Sequence, residues 1–162
     1  MASIIRPVIG SSTSAWQSAG FTATDFNTLA NGSFVVAASA ITQSSNLDDF
    51  LDVSFSLVVG GTTVAASFLS LYLFPLNQDG TTYGDATATG SALPAPSYWQ
   101  TNAFATIGIT SGNAIVGSFP RVFIGDLASD FKLGIVNNLG VALNASAAAV
   151  VKYLTINTNG NG

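Results

Sequence analysis

Leu51-Asp-Val-Ser-Phe-Ser-Leu-Val-Val59 is the most regular stretch of this 162-residue chain. Its odd-numbered residues are all apolar, whereas positions 52, 54 and 56 carry Asp or Ser. Neighbouring side chains in a β-strand point to opposite faces, so this alternation predicts a strand with one buried and one polar face. Gly60-Gly61 follows directly and predicts a hairpin turn into the next strand.

Strand and turn signals extend from this stretch in both directions. Asn31-Gly32 and Ser111-Gly112 predict tight turns, and Pro75 ends the strand that follows the first hairpin. Only Ser14–Leu29 hints at a helix, and Gly20 weakens that prediction. Further strands are predicted at residues 33–41, 63–74, 104–110, 113–119, 131–137 and 148–156.

The number and spacing of these strands predict an all-β fold. Seven or eight short strands separated by turns are typical of an antiparallel β-sandwich or jelly roll, here with at most one short helix. We expect one such domain at residues 33–156, because a chain of this length can bury one substantial core. Residues 1–32 are then an N-terminal arm or extension, and residues 157–162 form a frayed tail.

The strand predicted at 63–74 is apolar on both faces. Every position from Phe68 to Phe74 except Ser70 carries a large apolar or aromatic side chain. A strand buried on both sides needs a second sheet together with a covering loop, or a neighbouring subunit. The residues of this strand that we expect at an interface are Phe68, Leu69, Leu71, Tyr72 and Leu73.

The segment 76–103 is long for a loop in a compact domain, and such loops are usually functional or docked on something. It contains Tyr98-Trp99, which with Tyr83 and Trp16 offers three interpretations. The aromatic rings form a hot spot for another protein, a platform for stacking sugars, or a lid over the end of the sandwich. We add Tyr98, Trp99 and Trp16 to the expected interface.

Charged side chains make up only 7% of the chain, against roughly 25% in an average protein. A surface of Ser, Thr, Asn, Gly and Ala costs little to dehydrate, whereas a soluble monomer usually keeps more charge. The composition therefore predicts a protein that is covered by partners in an assembly. A secreted or thermally robust monomer with a polar, uncharged surface is the alternative.

The same composition argues against several classes of protein. Four scattered cations do not form a phosphate-binding stripe, so nucleic acid binding is not expected. The chain has no His, Cys or Glu, which are the usual groups of acid–base and thiol catalysis, so we do not expect an enzyme. Arg6 and Pro7 interrupt the apolar N-terminus, which is unlike a signal peptide. Gly60-Gly61 interrupts the apolar stretch Val53–Gln78, so no membrane span is expected.

Two groups of aspartates are candidates for chemistry. Asp79 and Asp85 lie around a glycine turn and form a weak candidate for a calcium site. Two carboxylates without a bidentate Glu bind calcium weakly, so turn chemistry explains them better, and we expect no metal or cofactor. Asp48, Asp49 and Asp52 predict a solvated turn that protects a sheet edge. A pair of glycosidase carboxylates is the less favoured alternative.

Five short motifs stand out between residues 27 and 155. The C-terminal third contains Asp130-Phe-Lys-Leu-Gly-Ile-Val-Asn-Asn-Leu-Gly-Val-Ala-Leu143, followed by Val150-Val-Lys-Tyr153. The middle contains Leu71-Tyr-Leu-Phe-Pro75 and Asp79-Gly-Thr-Thr-Tyr-Gly-Asp85, and Leu29-Ala-Asn-Gly-Ser33 precedes the first strong strand. Together these motifs resemble those of small structural proteins in the virions of tailed bacteriophages.

The resemblance implies a small β-sandwich that decorates or cements the bacteriophage capsid and needs no catalytic group or cofactor. Such a late protein would assemble in the host cytoplasm and lie on the capsid surface of the virion. Its partners would be the major capsid protein and copies of itself, with a trimer favoured by analogy with the three-fold sites of capsids. The alternatives are a tail, fibre or collar subunit, and a carbohydrate-binding module, for which glycan binding is less favoured.

Overall fold

The alternating segment at 51–59 forms the central strand of one of two antiparallel β-sheets. The computed structural model describes residues 8–9, 16–43, 48–83, 91–92, 103–108, 114–125, 127, 129–144 and 149–157. One 3₁₀ turn spans Ala23–Phe26. The strands in the described residues are β1 (Val8–Ile9), β2 (Gln17–Ser18), β3 (Ser33–Val36), β4 (Phe50–Val59), β5 (Ser67–Pro75), β6 (Ser91–Ala92), β7 (Ala103–Ile107), β8 (Ala114–Phe123), β9 (Phe131–Asn138), β10 (Leu143–Asn144) and β11 (Val150–Asn157).

The strand order is that of a jelly roll. In sheet A, β4 pairs with β8 on one side and with β10 and β11 on the other, and β11 also pairs with β1 and β2. Sheet B has the order β6-β3-β9-β5-β7. The eight strands β2, β3, β4, β5, β7, β8, β9 and β11 thus form two facing sheets, β2-β11-β4-β8 and β3-β9-β5-β7, with the connectivity of two Greek keys. The predicted all-β sandwich with at most one short helical turn is confirmed.

The hairpin predicted at Gly60-Gly61 is wrong. Gly60-Gly61 connects β4 to β5, but these two strands belong to different sheets. The tight turn predicted at Ser111-Gly112 lies outside the described residues, between β7 and β8, which also belong to different sheets. Gly60 and Gly61 lie in a bend directly after β4. The strands they connect pair instead with partners that are distant in sequence, because each strand must bury its apolar face against the opposite sheet.

The core lies between the two sheets and follows directly from the alternation in β4. Leu51, Val53, Phe55, Leu57 and Val59 all point inward and are buried, while the residues between them are half-buried. Sheet B contributes apolar side chains from β3, β5, β7 and β9 to the same cluster. One continuous core therefore holds the two sheets together, as expected for a single sandwich.

Part of the segment expected as an N-terminal arm packs within the sandwich. Gln17 and Ser18 pair with β11, and the hydroxyl of Tyr153 donates a hydrogen bond to the side-chain oxygen of Gln17 at 2.8 Å. Phe26 and Leu29 are buried in the core. The β-sandwich therefore uses residues that precede position 33.

Asn137 organises one end of the sandwich, where the loops before β3 and after β9 meet. Its side chain is fully buried, and its Nδ2 donates to the carbonyl oxygens of Leu29 at 2.8 Å and Val141 at 2.9 Å. Its Oδ1 accepts the backbone N–H of Leu139 at 3.0 Å. One neutral side chain thus satisfies three buried backbone groups from two loops.

Gln43 plays the corresponding part at the opposite end. Its buried side chain bonds both backbone groups of Asp48: Nε2 donates to the carbonyl oxygen at 2.6 Å, and Oε1 accepts the N–H at 3.2 Å. The backbone N–H of Gln43 donates to Oδ1 of Asp130 at 3.0 Å, which ties this loop to the start of β9. The loop before β4 is thereby fixed to the loop before β9.

A β-bulge interrupts β8 near its end. Val122 pairs with Leu51 and Phe119 with Val53, so Pro120 and Arg121 together lie opposite the single residue between Leu51 and Val53. That residue is Asp52, whose Oδ1 accepts the backbone N–H of Arg121 at 2.6 Å. Arg121, the second residue of the bulge, has a φ of 53°, in the left-handed region that is uncommon for a residue with a Cβ atom.

We predict that Asn137→Ala lowers the free energy of unfolding by about 3 kcal/mol, because it leaves three buried backbone groups without partners. Urea denaturation of the purified protein measures this loss. The matched control is Asn138→Ala, which removes a single 3.2 Å bond to Ser70 Oγ from a half-buried side chain and should cost less than about 1 kcal/mol. Equal losses in the two variants would contradict the role assigned to Asn137.

Ala66 has a φ of 58° in the turn before β5, a conformation that is unfavourable for a residue with a Cβ atom. We predict that Ala66→Gly raises the free energy of unfolding by roughly 0.5 kcal/mol, since relief of this strain exceeds the added flexibility of the unfolded chain. Ala65→Gly, at the exposed preceding position, should lower it by a similar amount. Thermal and urea denaturation would report the opposite signs.

Candidate interaction surface

The structure separates the residues of β5 that were expected at an interface into two groups. Leu69, Leu71 and Leu73 point between the sheets and are buried in the core. A partner cannot contact them while the subunit is folded. Phe68 and Tyr72 lie on the outer face of sheet B and are half-buried, so they remain within reach of the surface. Burial also raises the pKa of the Tyr72 hydroxyl above its ordinary value.

Of the four aromatic residues predicted to form a hot spot, a platform or a lid, Tyr83 and Trp16 lie in the described part of the chain. Tyr98 and Trp99 lie outside the described residues. Lys132 Nζ lies 4.9 Å from the centre of the Tyr83 ring, in a cation–π contact that occupies one face of the ring. Trp16, immediately before β2, is exposed.

Among the described residues, the most exposed large apolar side chain is Val116, on the outer side of sheet A. Val150, Ser56 and Val116 are directly opposite one another on β11, β4 and β8, and so form one row across three strands. Val116 is 74% exposed and Val150 is 41% exposed, which is unusual for valine in the middle of a sheet. We call this surface the sheet A face, and define it by Ser54, Ser56, Val58, Ala114, Val116, Ser118 and Val150.

The sheet A face is nearly free of charge. No charged residue lies between Asp85 and Arg121 in the sequence, so the residues of β8 before its bulge are all neutral. Lys152, opposite Ser54, lies at the margin of the face. A flat surface of small valine, serine and alanine side chains loses little hydration energy when it is covered, so it can bind another flat, uncharged surface.

The size of this face limits how tightly one copy can bind. Three strands and five residues along each cover about 14 Å by 17 Å, or roughly 250 Å². A stable complex between two proteins usually buries about 800 Å² on each partner. The sheet A face alone is therefore suited to weak contacts that become strong when many copies bind to one assembly.

The sequence alone did not identify the sheet A face, although two features of the sequence are consistent with an exposed, uncharged surface. The polar side of β4 carries Ser54 and Ser56 where an exposed strand often carries Lys or Glu. The neutral run before Arg121 includes all of β7 and most of β8. Neither feature shows which side of a strand is exposed until the pairing of the strands is known.

The weak calcium candidate is a turn in which the Asp79 carboxylate holds its own loop. Asp79 Oδ1 accepts the backbone N–H groups of Thr81 and Thr82, both at 2.9 Å, and Oδ2 accepts the Thr82 hydroxyl. These bonds lower the pKa of the exposed Asp79 carboxyl to about 2, with the Thr82 hydroxyl as the largest cause. Asp85 lies outside the described residues. Within the ranges that the structure describes, no three His, Cys, Asp or Glu residues cluster as metal ligands would.

The other aspartates expected to lie together also support the fold. Asp48 is buried, contrary to the expectation of a solvated turn, because both of its backbone groups bond Gln43. The backbone of Asp49 bridges Ile156 and Ile124, and the carboxylate of Asp52 closes the bulge in β8. Each of these three residues therefore has a structural partner.

Comparison of the chain with models of protein families, with curated proteins and with solved structures gives no match. In the part of the chain that the structure describes, no helix has the length and apolar character needed to cross a membrane. The function of the chain is therefore inferred from its sequence motifs and from the sheet A face.

We predict that the Asp79 carboxyl titrates with a midpoint near pH 2, below the ordinary 3.8. Because its pKa is lower in the folded turn than in the unfolded chain, the carboxylate supports the turn above about pH 4. This support is lost as the pH falls through 2. Carboxyl NMR shifts measured against pH would show the midpoint, and Asp79→Asn should remove the resonance assigned to it. A midpoint at an ordinary value would contradict the bonding described for the turn.

Proposed function

We propose that this chain is a structural subunit of a tailed-bacteriophage virion, a decoration or cement protein that binds the major capsid protein and copies of itself. The sheet A face is the observation that carries the proposal. It is an exposed, neutral and largely small-residue surface in the centre of a sheet. The proposed oligomer is a trimer, by analogy with the three-fold sites of capsids.

The physical properties of the chain suit this role. A cement protein binds many equivalent positions on a large particle, so each contact can be weak as long as it costs little to dehydrate. The chain meets this requirement, since only 7% of its residues are charged. A jelly roll is also an architecture shared by viral capsid proteins, although lectins use it as well.

The motifs that resemble virion proteins account for specific structural features of this sandwich. The stretch 130–143 contains β9, the buried Asn137 and Gly140, which has a φ of 76° in the following turn. The motif 71–75 ends β5, and the motif 79–85 begins with the turn held by Asp79. The resemblance thus supports a shared fold, while the sheet A face supplies the binding surface.

We predict that Val116→Asp lowers binding to capsids isolated without this protein at least tenfold, equivalent to about 1.4 kcal/mol for a single site. The substitution places a charge at the most exposed point of the sheet A face, where a partner would have to bury it. Co-sedimentation of the purified protein with the particles measures the bound amount.

The matched control is Val64→Asp, which makes the same change at a half-exposed valine in the loop between β4 and β5. It should bind as the unmodified protein does. If the unmodified protein does not bind capsids, the proposed function fails. If both variants bind normally, the sheet A face is not the contact surface.

A further inference from the structure

The loop before β3 contains Asn31-Gly32, a dipeptide whose asparagine side chain can react with its own backbone. In this reaction the backbone nitrogen of the glycine attacks the side-chain Cγ, and the missing Cβ atom of glycine leaves the approach open. The new N–Cγ bond closes a cyclic imide, the Cγ–NH₂ bond breaks, and ammonia leaves with the proton of the glycine N–H. Water then opens the imide at either carbonyl, which leaves aspartate or isoaspartate in place of the asparagine.

The first step of this deamidation is the removal of a proton from the backbone N–H of Gly32, because the neutral amide nitrogen is a weak nucleophile. Asn31 and Gly32 are both exposed, so water and hydroxide can reach the dipeptide. The Gly32 N–H, however, donates a hydrogen bond to the carbonyl oxygen of Asn137 at 2.6 Å. This bond to β9 has to break before the proton can be removed.

Two further bonds fix the geometry of the dipeptide. The backbone N–H of Ser33 donates to the carbonyl oxygen of Ala30 at 3.1 Å, which closes a turn across the dipeptide. Gly32 has a φ of 80°, the value that a type II turn requires at this position. The side-chain Oδ1 of Asn31 accepts the backbone N–H of Gly140 at 2.8 Å. The attacking nitrogen and the attacked side chain are therefore each bonded to another part of the chain.

We propose that Asn31 is a deamidation site that the folded loop protects, so that its side-chain amide is lost only when the loop before β3 separates from β9. The product carries a new negative charge. In isoaspartate the backbone also gains one methylene group before Gly32, which moves the Gly32 N–H relative to the carbonyl oxygen of Asn137. The loop then cannot restore its original bonds, and the product marks molecules in which this end of the sandwich has opened.

This inference does not depend on the proposed function, and its test uses the purified protein without capsids. Deamidation of the unmodified chain is followed in native buffer and in urea that unfolds the protein, at the same mildly alkaline pH. Mass spectrometry of the peptide that contains Asn31 gives the rate. It should be at least about 100-fold lower in native buffer, because the reaction then needs local opening. Asn159-Gly160, the same dipeptide elsewhere in the chain, is the reference in urea, where Asn31 should react at a similar rate.

Two variants test whether the bonds of the loop provide the protection. Asn137→Ala removes the side-chain hydrogen bond to the carbonyl oxygen of Leu29, which joins the loop before β3 to β9, and should raise the native rate at Asn31 at least about tenfold. Asn138→Ala is the matched control. It keeps the bond to Leu29 and should change the rate by less than about fivefold. The carbonyl oxygen that accepts the Gly32 N–H is present in both variants.

If Asn137→Ala does not fold, amide hydrogen exchange of the unmodified protein decides the question. Exchange of the Gly32 N–H requires removal of the same proton as deamidation of Asn31. The ratio of the native rate to the unfolded rate should therefore agree within about tenfold for the two reactions.

Any of four results would overturn the proposal. Asn31 could react as fast in native buffer as in urea, or it could stay intact in urea while Asn159 reacts. A folded Asn137→Ala variant could leave the native rate unchanged. Protection of the Gly32 N–H from exchange could also fail to match the protection of Asn31 from deamidation.

Discussion

Hydrogen bonds from two buried amide side chains hold the loops at the two ends of this sandwich. A jelly roll carries the chain repeatedly from one sheet to the other, so its ends contain many backbone groups that no strand ladder can satisfy. Asn137 bonds three of them at one end, and Gln43 bonds two at the other. Amides do this without a charge, which suits a chain that has few ionised groups to spare for pairing. The strands between these ends can then bury almost exclusively apolar side chains on their inner faces.

The two outer faces of the sandwich differ in character. Sheet B has a buried outer row that runs through Val136, whereas the corresponding central row of sheet A leaves Val116 open to water. The central row of sheet B is buried on both sides, so a change there affects stability. Sheet A has solvent on one side, so its outer residues are free to be selected for binding. The two sheets of the sandwich therefore differ in how far their outer faces are exposed.

The local pattern of the sequence was sufficient for the fold class and for most strands. The alternation at 51–59 predicted β4 within one residue at its start, because such a period depends only on the geometry of the strand. The partners of that strand were not predictable in the same way. Gly60-Gly61 indicates a reversal equally well for a hairpin and for a crossing between sheets. The choice depends on the packing of residues far apart in the chain, such as Leu57 beside Ile115.

The candidate surface was predictable only in its chemistry. Low charge predicted an assembly. The large apolar side chains of β5 led us to predict an interface at Leu69, Leu71 and Leu73, but these residues belong to the core. Size and hydrophobicity alone do not separate a core position from a contact position, since both exclude water. The sheet A face instead uses small side chains, and its exposure follows from the tertiary arrangement of β4, β8 and β11.

Pro120, in the bulge of β8, also affects how the unfolded chain can aggregate. Ala114–Phe119 is an uncharged six-residue stretch in which Ile115, Val116 and Phe119 favour β-structure, so it could pair with other copies if exposed. Pro120 follows it directly, and a proline at that position lacks the backbone N–H that a stack of β-strands would need there. The folded subunit further protects the stretch by pairing it with β4. Once heat separates these strands, few charges remain to keep molecules apart, so thermal denaturation should end in precipitation and not in refolding.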